Sequence, residues 1–439
     1  MKVHFTGVGG IGMSALARYF LASHHQVSGS DSDTTDLIEE LKQEGLEWIP
    51  SDKTLGDDLD LHIYTEAVSK NDIQRKDIQK KGVRSLSYFQ ALGEISKEYK
   101  TICVCGTHGK STVTSMFGIA LQEVDEDPLV IVGTKVREFS GKNIRLSKTI
   151  NTKDTCFVVE SCEYRESFLN LSPFGVVLIN CEHDHIDAYP TEESYKNAFK
   201  KFVKSIPKNG FLVANFDDKN VREVAEVATC HIIPVKFSEI QDPITPLVPG
   251  WHNQLNAELV KAAAAQVTEK YVRKSLEQFK GTWRRFDILS EENEIIVIDD
   301  YAHHPTEIRV TLNALNIFSR NKKREEGKKV IMFQPHQYSR TRELFAEFID
   351  AFSVLANTST ILCITDIYEA RDSNEDKQAV SASLLVEALK DKGVSAVYTG
   401  DYTESLEYIQ KILQKGDLLV TMGAGPVDEV AHRFIEKSH

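Results

Sequence analysis

The 439-residue chain has no apolar run near the ~18 residues that would suggest a membrane span. Its opening, MKVHFTGVGGIGMSALARYF, is punctuated by glycine where a secretory leader would be continuously apolar. No membrane partner is expected. Basic charge is also short: 52 Lys and Arg stand against 65 Asp and Glu, a net charge of −13. A nonspecific nucleic-acid binder needs the opposite balance, so no nucleic-acid partner is expected either, though local basic pockets for an anionic substrate remain compatible with it. The chain lacks any C-x-x-C pair, and its seven cysteines are odd in number. Neither a disulfide framework nor a zinc site is indicated. Most of the cysteines fall in apolar runs that read as buried strands, which fits a reducing, cytoplasmic setting.

What is present is ordinary globular composition, 41% apolar and 27% charged. At roughly 150 residues per domain, the length predicts about three domains. Short β-branched runs alternate with helical stretches almost from end to end, the pattern of parallel α/β sheets. Strands are predicted at Lys2–Thr6, Gln26–Ser30, Leu61–Thr65, Ile102–Cys105, Phe157–Glu160, Val176–Asn180 and Phe211–Asn215. Helices are predicted from about Met13 to Ser23 and from about Asn253 to Val267. The pattern restarts after Gly281, with strands at Ile295–Asp299, Val330–Gln334, Ile361–Asp366, Ala396–Tyr398 and Leu418–Met422. Breaks near residues 98 and 283 divide the chain into 1–98, 99–283 and 284–439. The charge run Arg320–Lys329 reads as a solvated loop.

Two glycine loops carry chemistry. The first strand runs into Gly7-Val8-Gly9-Gly10-Ile11-Gly12, a G-x-G-x-x-G that opens a helix. Absent side chains let a diphosphate approach the backbone, and the helix start offers free N–H groups and a positive dipole end. The next strand ends at Asp31, placed to accept from a nucleotide's hydroxyls or base. NAD and any other nucleoside diphosphate fit this pattern equally. The second loop, Gly106-Thr107-His108-Gly109-Lys110-Ser111-Thr112, has two residues between its glycines where the usual phosphate loop has four. Its logic is intact: backbone N–H groups wrap phosphate oxygens, Lys110 reaches the terminal phosphates and Ser111 offers a hydroxyl to Mg²⁺. Two such loops predict two phosphorylated ligands, which disfavours a simple dehydrogenase. Glu160, at the carboxyl end of one apolar strand, and His185, just after another, fall on the same sheet edge and are candidate Mg²⁺ ligands. Asp184 and Asp187 are candidate caps or outer partners.

Taken together, these motifs resemble the Mur ligases, ATP-dependent amino-acid ligases of peptidoglycan precursor synthesis, over essentially the whole chain. Gly106–Thr112 is similar to their G-T-H-G-K-[ST]-T, and Asn180–Asp187 to their N-x-E-x-D-H-x-D. Gly250–Ala257 is similar to their G-x-H-N-x-x-N-A, and Gly281–Phe286 to their R-R-F hinge. Val3–Ser14 with Gly29–Asp31, Asp299–Glu307 and Phe333–Arg342 extend the likeness.

The resemblance implies an α/β fold of three domains: a Rossmann-like N-terminal domain, a central P-loop ATPase domain and a Rossmann-like C-terminal domain. It implies that the first domain binds UDP, through Gly7, Gly9, Gly10, Gly12, Ser30 and Asp31. It implies UDP-N-acetylmuramate and L-alanine as substrates, ATP, and two Mg²⁺ ions (replaceable by Mn²⁺) held by Ser111, Glu160 and His185. The nucleotide would be held by Gly106, Thr107, His108, Gly109, Lys110, Ser111, Thr112, His252, Asn253, Asn256, Arg285 and Asp300. Tyr301, His303, His336 and Arg340 would line the amino-acid and acyl end, where a guanidinium can pair bidentately with a carboxylate. The catalytic set implied is Lys110, Glu160, His185, Arg285, Asp300, His303 and Arg340. A monomer or weak homodimer is expected.

Several residues depart from the family pattern. Ser111 replaces Thr, Ala302 replaces Gly, Gln337 replaces Arg, and Gly423-Ala424-Gly425-Pro426 replaces G-A-G-D/N. Glu160-Ser161-Cys162-Glu163-Tyr164-Arg165 keeps only the carboxylates at the first and fourth positions of E-A-D-E-S-D. Phe199 stands where some members carry a carbamylated lysine. A murein-tripeptide recycling ligase and a non-catalytic nucleotide-binding homologue are the alternatives.

Overall fold

A computed structural model of the chain describes residues 1–148, 154–322, 327–370 and 372–437. Residues 323–326, inside the charge run Arg320–Lys329, lie outside the described residues. The alternation of strands and helices builds three sheets. The first has five parallel strands in the order Glu47–Trp48, Gln26–Ser30, Lys2–Thr6, Leu61–Tyr64, Ser85–Ser87. Strand order reverses beside Lys2–Thr6, so a crevice opens at its carboxyl end, where the first glycine loop leaves the sheet.

The second sheet has seven strands in the order His231–Val235, Phe211–Asn215, Gly175–Leu178, Lys100–Cys105, Cys156–Glu160, Leu129–Val136, Lys142–Arg145. Only its last pair is antiparallel, a hairpin joined through the short helical turn Arg137–Phe139. Order again reverses beside the strand that feeds a glycine loop, here Lys100–Cys105. The third sheet has six strands, Asp287–Ser290, Ile296–Asp300, Leu418–Met422, Lys329–Phe333, Ile361–Thr365 and Ala396–Gly400, with only the first pair antiparallel. Residues 1–246 and 254–279 form one compact unit with the first two sheets; residues 247–253 and 280–439 form another around the third. An apolar cluster runs through the first unit, from Val3 and Phe5 to Phe202 and Leu212. Among the described residues, no helix is long and apolar enough to cross a membrane.

Most of the strands foreseen from sequence lie inside their sheets. Ile102 through Cys105, Val176 through Leu178 and Leu212 through Ala214 are sealed from solvent, and such strands read as unbroken apolar runs. Apart from Leu129–Val136, the strands not foreseen lie at sheet edges. His231–Val235 is part-exposed and carries Pro234, which cannot donate to a ladder and is tolerated at an edge. Glu47–Trp48 and Ser85–Ser87 are too short to show a period. Of the hairpin strands, likewise unforeseen, Lys142–Arg145 forms the other edge of the second sheet and Leu129–Val136 lies inside it.

That hairpin packs closely on helix Lys110–Glu123, at Gly118. A Cβ there would sit 2.8 Å from Val130 Cγ2 and 2.9 Å from Phe139 Cζ. Gly118→Ala is therefore expected to destabilise the first unit by about 1–3 kcal/mol through overpacking, despite Ala's better helix propensity. A lower urea midpoint at unchanged slope checks it.

Candidate active site

The first glycine loop is braced from the neighbouring strand. Gly7 has φ +84, and a Cβ on it would collide with Thr65. The N–H groups of Gly7 and Val8 both donate to the Ser30 carbonyl, at 2.8 and 3.0 Å. The buried Ser30 hydroxyl donates to Gln74. Asp31 accepts from Gly9 N–H at 2.8 Å and from Ser32 N–H at 2.7 Å. The side chains of Ser30 and Asp31, expected from sequence to meet a nucleotide, thus shape the turn that would do so. Helix Ile11–Ala22 begins two residues earlier than foreseen, inside the glycine motif, with no side-chain cap on its first N–H groups. Gly12 makes room for the Tyr88 ring, 2.8 Å from where a Cβ would lie.

The second loop is shaped by the segment that follows strand Gly175–Leu178. Asn180 clamps His108 on both sides, accepting from its N–H at 2.9 Å and donating to its carbonyl at 3.1 Å. The Thr107 hydroxyl donates to the Glu182 carbonyl at 2.7 Å and accepts from Glu182 N–H at 3.0 Å. Gly109, with φ +84, starts helix Lys110–Glu123, and its missing Cβ leaves 3.4 Å to Asn256 Oδ1. The His108 ring lies 3.4 Å from the Glu182 carboxylate. Thr112 sits half-buried in the first helical turn.

Lys110 folds back over its own loop. Its Nζ donates to the carbonyls of Gly106 and Thr107, at 2.7 and 2.9 Å, and lies 3.1 Å from Glu163 Oε2. Burial opposes its charge, but the carboxylates of Glu163 and Glu160 outweigh burial and raise its pKa. Glu163 itself is sealed from solvent. Burial would push its carboxyl up, yet Lys110 and the His185 ring, 3.3 Å away, hold it below the usual range. The Ser111 hydroxyl donates to Glu160 Oε1 at 3.0 Å, and Gly133 N–H donates to Oε2 at 2.7 Å. Of the three expected metal ligands, Ser111 and Glu160 meet each other, whereas the His185 ring faces Glu163, Asp184 at 3.9 Å and Tyr164, the last edge-on at 5.0 Å. Asp184 also accepts from His185 N–H at 2.6 Å, and Asp187 accepts from the Tyr164 hydroxyl at 2.7 Å.

In the second unit, strand Ile296–Asp300 ends in a corner that collects the remaining candidates. The buried Asp300 carboxylate accepts from Phe286 N–H and Ala302 N–H, at 2.7 and 2.8 Å, and from the Thr311 hydroxyl at 3.1 Å. Burial raises its pKa, partly offset by Arg285. Asp300, expected to contact ATP, is thus committed to the corner's own backbone. Arg285 lies over the Tyr301 ring at 4.9 Å and 3.6 Å from Glu307. The Glu307 carboxylate also approaches His303 Nδ1, at 3.2 Å. The His303 and His336 rings are 6.0 Å apart, and His336 stacks on Tyr368 at 5.4 Å. Burial, His303 and Arg340 together lower the His336 pKa to about 4. Arg340 is near enough to contribute that charge and sits in the short helix Tyr338–Glu343. His252 and Asn253 sit in the first turn of helix Trp251–Ala264. Asn253 donates to the Pro249 carbonyl at 3.1 Å, and burial lowers the His252 pKa to about 4.

Four residues at these clusters were not singled out as site residues from sequence. Glu163 had a signal, as the second carboxylate kept in Glu160-x-x-Glu163. Asn180 and Glu307 lay inside recognised motifs without an assigned role. Tyr368 had no local signal, because only the pairing of strands Lys329–Phe333 and Ile361–Thr365 brings it to His336.

Family models match along almost the whole chain: the Mur ligase family catalytic domain over residues 2–100, the Mur ligase middle domain over 104–278, and the Mur ligase glutamate ligase domain over 284–425. The UDP-N-acetylmuramate–L-alanine ligase of Clostridium acetobutylicum is 36% identical over 466 aligned positions, covering 99% of this chain and 98% of the relative. Its counterpart from Clostridium kluyveri is 35% identical, covering 99% and 98%. The crystal structure of UDP-N-acetylmuramate-alanine ligase from Thermotoga maritima matches with a TM-score of 0.78 at 25% identity, covering 100% of this chain and 99% of that one. A murein peptide ligase from Psychrobacter arcticus shares the fold, with a TM-score of 0.67 at 20% identity and coverage of 99% and 98%.

Proposed function

The chain belongs to the Mur ligase family, and from that premise we propose that it joins L-alanine to the lactyl carboxylate of UDP-N-acetylmuramate, using ATP, in peptidoglycan precursor synthesis. The observation that carries this reading is the constellation at the second glycine loop. There Lys110 and the Ser111–Glu160 pair stand at a helix start on the carboxyl edge of a parallel sheet.

A carboxylate is a poor electrophile toward an amine. Transfer of the ATP γ-phosphoryl group to it gives an acyl phosphate and ADP. The neutral amine of L-alanine then adds to the acyl carbon, and phosphate leaves from the tetrahedral adduct. In the first step Lys110 and the N–H groups at the start of helix Lys110–Glu123 face the charge that develops on phosphoryl oxygens. Lys110 leaves its carbonyl partners Gly106 and Thr107 to do so, while Glu163 keeps its charge in place. Ser111 and Glu160 offer adjacent hard oxygen donors, which suits Mg²⁺, and with His185 they would hold the two ions. Those ions, when bound, neutralise phosphate charge. Asn253, Asn256 and Arg285 hold the nucleotide. Gly7, Gly9, Gly10 and Gly12 cradle the UDP diphosphate. Tyr301, His303, His336 and Arg340 line the amino-acid end, and Asp300 keeps their corner in shape. The protein acts in the cytoplasm, where ATP and UDP-sugars are made.

Phosphate release is expected only when ATP, Mg²⁺, UDP-N-acetylmuramate and L-alanine are all present. Turnover that persists without the UDP-sugar sinks this assignment. A preference for murein tripeptide over L-alanine transfers it to the recycling ligases.

A further inference from the structure

Asn143 lies in the edge hairpin of the second sheet, far in sequence from either glycine loop, and is almost completely buried at 1% exposure. Its side chain reaches across to the first turn of helix Ile11–Ala22. Nδ2 donates to the Ile11 carbonyl and, at 3.1 Å, to the Ser14 hydroxyl oxygen. Oδ1 accepts from Arg18 Nη1 at 2.9 Å, one turn further along the same helix. Arg18 is itself buried and fixed by Glu40 and Glu44, at 2.9 Å each. Lys142 pairs with Glu44 at 3.0 Å from the hairpin side.

The other strand of the hairpin acts at the second loop, where Gly133 N–H holds Glu160 at 2.7 Å and Glu160 accepts from Ser111. One β-hairpin is therefore hydrogen-bonded to the helix that leaves the first glycine loop and to the carboxylate beside the second. An Asn amide suits the first contact because it accepts on one side and donates on the other, with no charge to desolvate.

We propose that Asn143 is a positioning residue that fixes the first glycine loop and its helix against the second, and so sets the approach of the UDP-sugar carboxylate to the ATP phosphate. This rests on the ligase reading for its substrates. Displacements of about 1 Å can cost about 100-fold in rate, so the lost alignment appears in kcat rather than in ATP binding.

The test compares Asn143→Ala and Asn143→Asp in the full chain. The aspartate keeps an acceptor for Arg18, so that variant retains the buried pairing and the fold, but it cannot donate to the Ile11 carbonyl. Both variants are expected to lose at least tenfold in kcat at saturating UDP-sugar, with KM for ATP within twofold of the parent. The amides of Ser14 to Arg18 are expected to exchange hydrogen at least tenfold faster in Asn143→Asp, beyond any change shared by the other amides of the first unit. Unchanged exchange overturns the proposal, as does faster exchange with unchanged kcat, or a kcat loss that appears only in the alanine variant together with a lower Tm. An inactive parent would sink the ligase reading, and the exchange measurement would still decide whether Asn143 holds the loop.

Discussion

Lys110→Ala lowers kcat by about 10³-fold or more, because no other side chain in the second loop carries positive charge to the transferring phosphoryl group. The structure adds a second consequence. Lys110 is the cation beside the sealed Glu163 carboxylate, and the His185 ring approaches the same carboxylate at 3.3 Å. Removing the lysine leaves a buried charge short of its main partner, at a cost of about 3 kcal/mol in stability. Two separate effects are then superimposed, and a third variant tells them apart. Lys110→Ala combined with Glu163→Gln removes both charges, so it should recover most of the lost stability and none of the turnover. Urea unfolding and phosphate release on the three proteins check this. Equal stability of parent and Lys110→Ala would mean that His185 alone satisfies Glu163. Recovery of turnover in the double variant would remove Lys110 from phosphoryl transfer.

Acid is expected to unfold the first unit through two histidines that no substrate needs to touch. His4 and His62 are buried in the first sheet, their rings stacked 6.1 Å apart. His4 Nε2 lies 3.0 Å from Gln74 Oε1, which can only accept, so the proton sits on Nε2 and the Ser28 hydroxyl, 2.9 Å away, donates to Nδ1. His62 makes the corresponding pair with Thr6 and Ser85, at 2.9 and 2.8 Å.

Burial lowers the His4 pKa to about 4, against smaller pulls upward from Gln74 and Asp72. It lowers that of His62 to about 3, helped by His4 and Arg75. The folded pKa values thus lie below the unfolded value near 6.5. The stability these neutral rings confer is present above pH 6.5 and is lost as pH falls toward the folded values. By pH 4.5 the loss is about 2.5 kcal/mol per ring. His62→Gln, which keeps a donor for Thr6, should remove about half of the drop between pH 7.5 and 4.5. A drop of unchanged size would acquit the pair. Because Gln74 also binds Ser30, whose carbonyl holds Gly7 and Val8, acid should loosen the first glycine loop before the second.

Which parts of the molecule could be read from the chain follows from where each residue's partners lie. The central strands were legible because burial on both faces demands an unbroken apolar run. The two glycine loops were legible because their chemistry is local: glycines, a lysine and a hydroxyl must be neighbours in sequence to wrap one phosphate group. Most of the edge strands were not, since solvent on one side relaxes the pattern and a strand of two or three residues has none; Ala396–Gly400 is an edge strand that was legible and Leu129–Val136 a central one that was not.

The sequence by itself determined the α/β class, both glycine loops and the family, all of which rest on contiguous residues. Only the tertiary structure decided that Glu163 sits between Lys110 and His185, that Ser30, Asp31 and Asp300 spend their side chains on the turns they belong to, and that Asn143 reaches the first helix from the second sheet. In each of these the partners are separated in sequence, and burial decides whether a carboxylate or amide is turned inward to satisfy the backbone or outward toward a substrate. No local pattern encodes that choice, because the same residue type serves both, and only the packing of strands from distant segments selects between them.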